Sequence, residues 1–142
     1  KAASMETQLM NNIYSAEALG SLLGGSWAIP EKYRRSAVEQ EVRAMVKSSS
    51  ITSAWAYYLP TWFDNLDEKK IDPDNNPSGQ FKVHYISDRN GKIKNETVSE
   101  LTMQEIEKYT NTWNASISEP KEILLDGNHV LSVKVFSKIN LF

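Results

Sequence analysis

The chain offers few groups that could carry nucleophilic, acid-base or metal chemistry. His84 and His129 are its only imidazoles among 142 residues, and cysteine is absent. Missing thiols exclude disulfides, cysteine-based zinc sites and thiol nucleophiles. The HExxH, GxSxG, P-loop and GxGxxG motifs are also missing. His84 lies on the minority face of a predicted strand and His129 follows a turn, so both are predicted to face solvent. The sequence therefore predicts no enzyme, no metal site and no cofactor.

An acidic segment between Asp64 and Gly79 invites a calcium interpretation. Asp72, Asp74 and Asn76 have the first three spacings of an EF-hand loop. The match then fails, because proline replaces the turning glycine and valine replaces the bidentate glutamate. We expect a long solvated surface loop.

Two carboxylates could in principle form a hydrolase pair. Asp64 and Glu119 would have to converge to about 5–10 Å in a cleft, and nothing in the sequence brings them together. Hydrolysis is therefore the last of the functions that we consider.

Aromatic residues are the strongest signal in the sequence. Five of them lie within the nine positions from Trp55 to Phe63. Trp55, Phe63 and Phe81 are predicted to be core residues, because a small domain needs large side chains to bury area. For Tyr85, Tyr109 and Trp113 both core packing and ligand contact stay open, since Tyr and Trp combine an apolar body with a polar tip.

Composition bounds the class of protein. With 40% hydrophobic residues, the chain can form one domain with a real core. Its net charge of −2 provides no basic field for a phosphate backbone, so a nucleic-acid partner is not expected. No apolar run approaches the roughly 18 residues needed to span a bilayer.

Two helices are predicted at the start of the chain. Apolar residues recur with near-helical spacing from Ser4 to about Leu23, and Gly24-Gly25 ends this segment. The stripe consists of Met5, Leu9, Ile13, Ala16 and Leu23. Pro30-Glu31 opens a second helix, whose apolar face includes Val38, Val42 and Val46.

Strands follow from Ile51 onward, where the period changes to two. The strand from Ile51 to Leu59 has one face of large residues and one of small residues. A second strand over Phe81–Ile86 turns at Asn90-Gly91 into a third over Lys92–Val98.

A short helix is predicted over Ser99–Tyr109, followed by a hairpin. The two strands of this hairpin are Glu122–Leu125 and Val130–Ile139, with Leu131, Val133 and Val135 facing the core. The order of elements is typical of an α+β fold, with one antiparallel sheet and helices on one face. Such a sheet leaves a concave pocket on its other face.

Five segments of the sequence, in this order, resemble the Cache sensor domains of bacterial chemoreceptors. They are residues 34–38, 49–57, 62–67, 81–93 and 118–139. Within the third, Trp62-Phe63-Asp64-Asn65-Leu66-Asp67 is similar to the end of the family's Trp-Glu-Pro-Asn-x-Phe-Asp-Gly-x-Asp pattern. The resemblance covers nearly the whole chain.

The resemblance implies a PAS-like antiparallel sheet with a long N-terminal helix and a second helix packed on one face. Residues 1–29 would be a stalk helix and turn, and residues 30–142 a Cache module, the membrane-distal one of a double Cache, without its closing strand. The parent protein would be a membrane-anchored methyl-accepting chemotaxis receptor with this part outside the cytoplasm. Its N-terminal helix could pair with a second copy and would relay ligand binding.

By the same resemblance, the ligand would be an amino acid, an amine or an organic acid. Tyr85, Tyr109 and Trp113 would line its pocket, with Tyr57 and Asp64 as further contacts. Amino-acid-binding members have Arg-x-Trp-Tyr where this chain has Asn111-Thr112-Trp113-Asn114. That difference favours an alternative, in which the module is a dimerising spacer or protein-docking domain of such a receptor or of a sensor histidine kinase.

Overall fold

The structure of the chain is a computed structural model. It describes residues 2–48, 51–59, 61, 63–96, 104, 108, 116–125, 127–137 and 139. By their internal contacts the residues form two compact units: Lys1–Gly25 together with Ser99–Phe142, and Ser26–Val98. The predicted division between a stalk of residues 1–29 and a module of residues 30–142 stays a prediction.

Both predicted N-terminal helices are confirmed. Helix α1 spans Ala2–Gly24 and is followed by a 3₁₀ turn at Gly25–Ala28. Helix α2 spans Glu31–Ser48, with an acidic residue in its first turn and a basic residue in its last, as the helix dipole favours. None of the helices in the described ranges is long and apolar enough to cross a membrane.

The unit Ser26–Val98 contains α2 and a three-stranded antiparallel sheet. Strand β1 spans Ser53–Tyr57, β2 spans Lys82–Ser87 and β3 spans Ile93–Asn95, in the spatial order β1-β2-β3. Between β1 and β2 lies a loop with a 3₁₀ turn at Asp67–Lys70. At the turn between β2 and β3, Gly91 has a φ of 76°, which glycine adopts without strain.

The other unit contains α1 and two pairs of short strands. Strands β4 (Ser116–Ile117) and β7 (Val135–Phe136) pair with each other, as do β5 (Lys121–Leu125) and β6 (Asn128–Ser132). Helix α1 packs against β7, and Leu19, Leu23 and Phe136 are buried in this unit.

The α+β class is confirmed, while two details of the predicted sheet are wrong. The described strands form three sheets instead of one. The first contains β1, β2 and β3, the second β4 and β7, and the third β5 and β6. The predicted strand Val130–Ile139 is broken after Ser132, and Val133 is 41% exposed while Phe136 is buried. Of the predicted helix Ser99–Tyr109, Gln104 and Lys108 are described, and both are helical.

Candidate functional site

The two faces of the sheet in Ser26–Val98 have different roles. Helix α2 contacts all three strands. Ala54, Ala56 and Val83 are buried, as are Val38 and Val42 on α2. Ala54 lies opposite Tyr85 and Ala56 opposite Val83, so these four residues share the face against α2. Small side chains on β1 let the helix approach closely.

The opposite face, which we call the distal face, carries the large and polar residues of the strands. In β1 these are Ser53, Trp55 and Tyr57, in β2 Lys82, His84 and Ile86, and in β3 Lys94. Those of β1 and β2 are half-buried, and Lys94 is exposed. The distal face therefore combines aromatic rings with cationic and hydrogen-bonding groups, the mixture that suits a small-molecule site.

Cross-strand pairing fixes the neighbours on the distal face. Tyr57 lies directly opposite Lys82, and Trp55 opposite His84. Along the diagonal, Ser53 Oγ and His84 Nε2 are 2.7 Å apart and share a hydrogen bond. His84 is thus half-buried and held by its neighbour, so the prediction that it faces solvent is wrong.

The structure places the predicted ligand contacts Tyr57 and Tyr85 on opposite faces of the sheet. Tyr57 belongs to the distal face, whereas Tyr85 shares the α2 face with Ala54. Burial raises the pKa of the Tyr85 hydroxyl, and the negative charge of Glu39 on α2 raises it further, against the opposing effect of Arg43. One pocket on one face of this sheet cannot use both tyrosines. Tyr109 and Trp113, the other two predicted aromatic contacts, lie outside the described residues.

Asp64, also a predicted ligand contact, forms a buried ion pair. Its side chain is completely buried, and Arg35 donates from Nε to Oδ2 at 2.7 Å and from Nη2 to Oδ1 at 3.0 Å. The Leu66 amide donates to Oδ1 at 3.1 Å. Burial alone would raise the pKa of Asp64, but the hydrogen bonds from Arg35 and Leu66 and the positive charge hold it below its ordinary value. Asp64 is therefore an ionised structural anchor, and its role toward a ligand stays a prediction.

Arg35 also holds the loop between β1 and β2. Its Nη2 donates to Asp67 Oδ1 at 2.7 Å, and its Nη1 donates to the Gly79 carbonyl at 3.0 Å. Asp67 in turn accepts a hydrogen bond from the Thr61 amide at 2.7 Å. We call Arg35, Asp64 and Asp67 the arginine clamp. Burial lowers the pKa of Arg35, but both carboxylates outweigh that effect and raise it, so Arg35 is charged at neutral pH.

Stacked aromatic rings lie beside the arginine clamp. Phe63 stacks on Phe81 with centroids 4.8 Å apart and contacts Tyr58 at 4.1 Å. The Arg35 guanidinium lies 5.1 Å from the Phe81 ring centroid, and Arg34 lies 4.8 Å from that of Trp27. Arg34 also donates to the carbonyl of Phe63 at 3.0 Å. The predictions that Phe63 and Phe81 are core residues are confirmed, whereas Trp55 is only half-buried on the distal face.

Two buried hydroxyls adjoin this aromatic cluster. Burial raises the pKa of Tyr58 well above its ordinary value, and the nearby Ser26 hydroxyl acts in the opposite direction. Among the residues that the structure describes, neither the Tyr58 hydroxyl nor Ser26 Oγ has a partner with hydrogen-bond geometry. Their contact is therefore weaker than the ion pairs of the arginine clamp.

The remaining candidate groups show no catalytic or metal-binding geometry in the described ranges. Glu119 is exposed, and the lowered pKa of Asp64 is the opposite of what a general acid requires. No group of His, Asp or Glu side chains in the described part of the chain could hold a metal ion. Asp72 instead accepts hydrogen bonds from the Asp74 and Asn75 amides, a local turn. His129 and Glu122 form an exposed pair at 2.9 Å on the β5–β6 hairpin.

Sequence reasoning missed Lys82 and His84 as candidate site residues and Arg35 as the partner of Asp64. One signal was available for the first two: alanines that alternate with large residues on β1 show which face a helix can approach. Finding Arg35 as the partner of Asp64 required knowing that these two residues, 29 positions apart in sequence, meet in space. Periodicity carries no such information.

Comparisons with known proteins show similarity in fold. No family model matches the sequence, and no curated protein matches it. A solved structure named "Methyl-accepting Chemotaxis protein X" aligns with a TM-score of 0.67 and 15% sequence identity, over 96% of this chain and 53% of that one. The chain thus spans about half the length of that structure, and the two share a fold.

Proposed function

We propose that this chain is a ligand-binding sensor domain of a transmembrane chemoreceptor, of the Cache type and located outside the cytoplasm. The observation that carries the proposal is the fold shared with a methyl-accepting chemotaxis protein over 96% of the chain. The family resemblance of the sequence supports the same class independently of the three-dimensional comparison. The domain has no catalytic role in this proposal.

The distal face is the proposed binding site. It offers two aromatic rings, two ammonium groups and an imidazole on neighbouring strands, and α2 occupies the other face. The arginine clamp makes α2 and the long β1–β2 loop a rigid support beside the sheet, because one guanidinium joins them with four charge-assisted hydrogen bonds. A rigid support transmits the conformational change that ligand binding produces to the rest of the receptor.

Two observations favour the alternative function, a spacer or docking domain. Two of the predicted ligand contacts have other roles, since Asp64 belongs to the arginine clamp and Tyr85 faces α2. A spacer needs the rigid core and no occupant on the distal face.

A thermal-shift screen of the 142-residue chain tests the sensor function. Amino acids, amines, organic acids, purines and sugars are added one at a time. A ligand at a hundredfold excess over its Kd stabilises the native state by about 2.7 kcal/mol, which raises the Tm of a domain this size by several degrees. A screen without any shift would support the spacer.

Two tyrosine variants locate the site of a ligand found in the screen. Tyr57→Ala removes a ring from the distal face and should weaken binding at least about tenfold, a typical loss for an aromatic contact at the centre of a site. Tyr33→Ala is the matched control, because Tyr33 is exposed on α2. Equal affinities of the two variants would place the ligand elsewhere.

A further inference from the structure

Lysines outnumber carboxylates on the distal face. Strands β1, β2 and β3 contain Lys82 and Lys94 on this face and no acidic residue on either face. One carboxylate, that of Glu96, lies on the same face just after β3, because the Glu96 amide donates to the His84 carbonyl at 2.8 Å and so continues the pairing of β3 with β2. A site built on these strands therefore presents positive charge to its occupant.

Lys82 is the half-buried lysine of the distal face. It starts the middle strand, and it lies opposite Tyr57. Within the described ranges its ammonium group forms no ion pair. A partly buried ammonium is better stabilised by an anion than by neutral groups. Arg35, a half-buried cation of the same unit, shows the contrast, since two carboxylates pair with it.

The spacing of the aromatic residues indicates the size of the occupant. Tyr57 and Trp55 are two residues apart on one face of β1, so their side chains stand about 7 Å apart. A molecule whose charged group pairs with Lys82 would have its nearest apolar atoms against Tyr57. Its apolar part would reach Trp55 if that part is as long as one ring or a short chain.

We infer that the ligand of this domain is a small organic anion, whose carboxylate or phosphate pairs with Lys82 and whose apolar body lies against Tyr57 and Trp55. This inference rests on the proposed sensor function and narrows its ligand class. It excludes amines, and amino acids would bind through their carboxylate.

Isothermal titration of the 142-residue chain with four probes of similar shape tests the inference. Phenylacetate and phenyl phosphate carry the anion, phenylacetamide is neutral and 2-phenylethylamine is cationic. We expect one or both anions to bind at least about tenfold more tightly than the other two probes, and the affinity to fall as salt rises from 50 to 200 mM. The ratio between the two anions distinguishes a carboxylate from a phosphate ligand.

Variants of Lys82 connect the affinity to the residue. Lys82→Gln should weaken phenylacetate or phenyl phosphate at least about tenfold, while Lys82→Arg keeps most of the affinity. Lys70→Gln is the control, because Lys70 is an exposed cation in the loop after β1. Circular dichroism establishes that each variant is folded.

The outcomes separate the two proposals. Tighter binding of the amine or the amide, or an unchanged affinity in Lys82→Gln, would overturn the anion inference and leave the sensor function standing. If the thermal-shift screen yields another ligand, that ligand replaces phenylacetate when the original chain is compared with Lys82→Gln. A ligand that is neutral or cationic would also overturn the anion inference. No binding in either experiment would overturn both.

Discussion

Arg35 determines how residues of the β1–β2 loop are held. Its guanidinium bonds to Asp64, Asp67 and the Gly79 carbonyl, and the Asp64 side chain is completely buried. Removing one partner of a buried ion pair leaves the other charge buried without compensation. The free energy of unfolding then falls strongly, by about 3–5 kcal/mol. The arginine clamp should therefore be sensitive to single substitutions at either carboxylate.

Asp64→Asn should lower the free energy of unfolding by about 3 kcal/mol, at the lower end for a broken buried pair because Asp67 still compensates Arg35. Urea denaturation measures the change. Asp74→Asn, an exposed loop variant, should lie within about 0.5 kcal/mol of the original chain. Equal midpoints for the two variants would contradict the proposed importance of the clamp.

Acid should remove the contribution of Asp64. Hydrogen bonds from Arg35 and Leu66 outweigh burial and hold the pKa of Asp64 below its ordinary value of 3.8. Protons therefore bind the unfolded chain more readily than the folded one. The stabilisation is complete above pH 3.8 and is lost as the pH falls through the folded-state pKa. Urea midpoints measured from pH 6 down to pH 2 should fall less steeply in Asp64→Asn, and parallel curves would refute this assignment.

Gly79 is required by both conformation and space. Its φ is +65°, and an added Cβ would lie 1.8 Å from the Asp67 carbonyl oxygen. Gly91 has a similar φ of +76° with open space around it. Gly91→Ala should therefore cost about 1 kcal/mol from conformation alone, and Gly79→Ala at least about 2 kcal/mol more from displacement of the Asp67 backbone. Urea midpoints compare them directly, and similar losses would mean that the loop can move away from α2.

At the scale of elements, the close packing of α2 on the sheet depends on small residues of β1. Ala54 and Ala56 are buried between Tyr85 and Val83 on the neighbouring strand and the valines of α2. Overpacking a well-packed core costs about 1–3 kcal/mol. Ala56→Leu should lower the free energy of unfolding by this amount in urea titrations. Thr52→Leu, at an exposed position just before β1, is the control. If Ala56→Leu unfolds at the same urea concentration as the original chain, a void between α2 and the sheet must accommodate the larger side chain.

The elements that have strong local signals were predictable from the sequence. Both helices, the Asn90-Gly91 turn and the β5–β6 hairpin follow from periodicity, glycine and proline. The orientation of β1 was harder, because Trp55 was predicted to be a core residue whereas the alanines are the ones covered by α2. Tyr57 was a predicted contact that does lie on the candidate face, but Lys82 and His84 gained their importance only from strand pairing. Pairing register and the Arg35–Asp64 contact are long-range properties, which the spacing of residues along one chain does not encode.

At the scale of the whole molecule, the proposed relay begins at α1. The helix has 23 residues, and its C-terminal half is anchored in its own unit through Leu19 and Leu23. Toward the N-terminus the same stripe is less covered: Leu9 and Ile13 are half-buried, and Met5 is 68% exposed. An apolar stripe of this kind gains stability when it packs against a second helix.

We therefore expect the chain to dimerise weakly through the N-terminal half of α1. Sedimentation-velocity runs at increasing concentrations should show a monomer–dimer equilibrium. The double variant Met5→Glu/Leu9→Glu should shift it to monomer, because a charge cannot be buried in a helix pair without a partner. Leu22→Glu is the matched control, since Leu22 is exposed but close to the C-terminal end of the helix. A dimer lost in Leu22→Glu and kept in the double variant would move the interface, and a monomer at all concentrations would refute it. If ligand also shifts this equilibrium, the shift gives directly the free energy by which ligand binding and dimerisation are coupled.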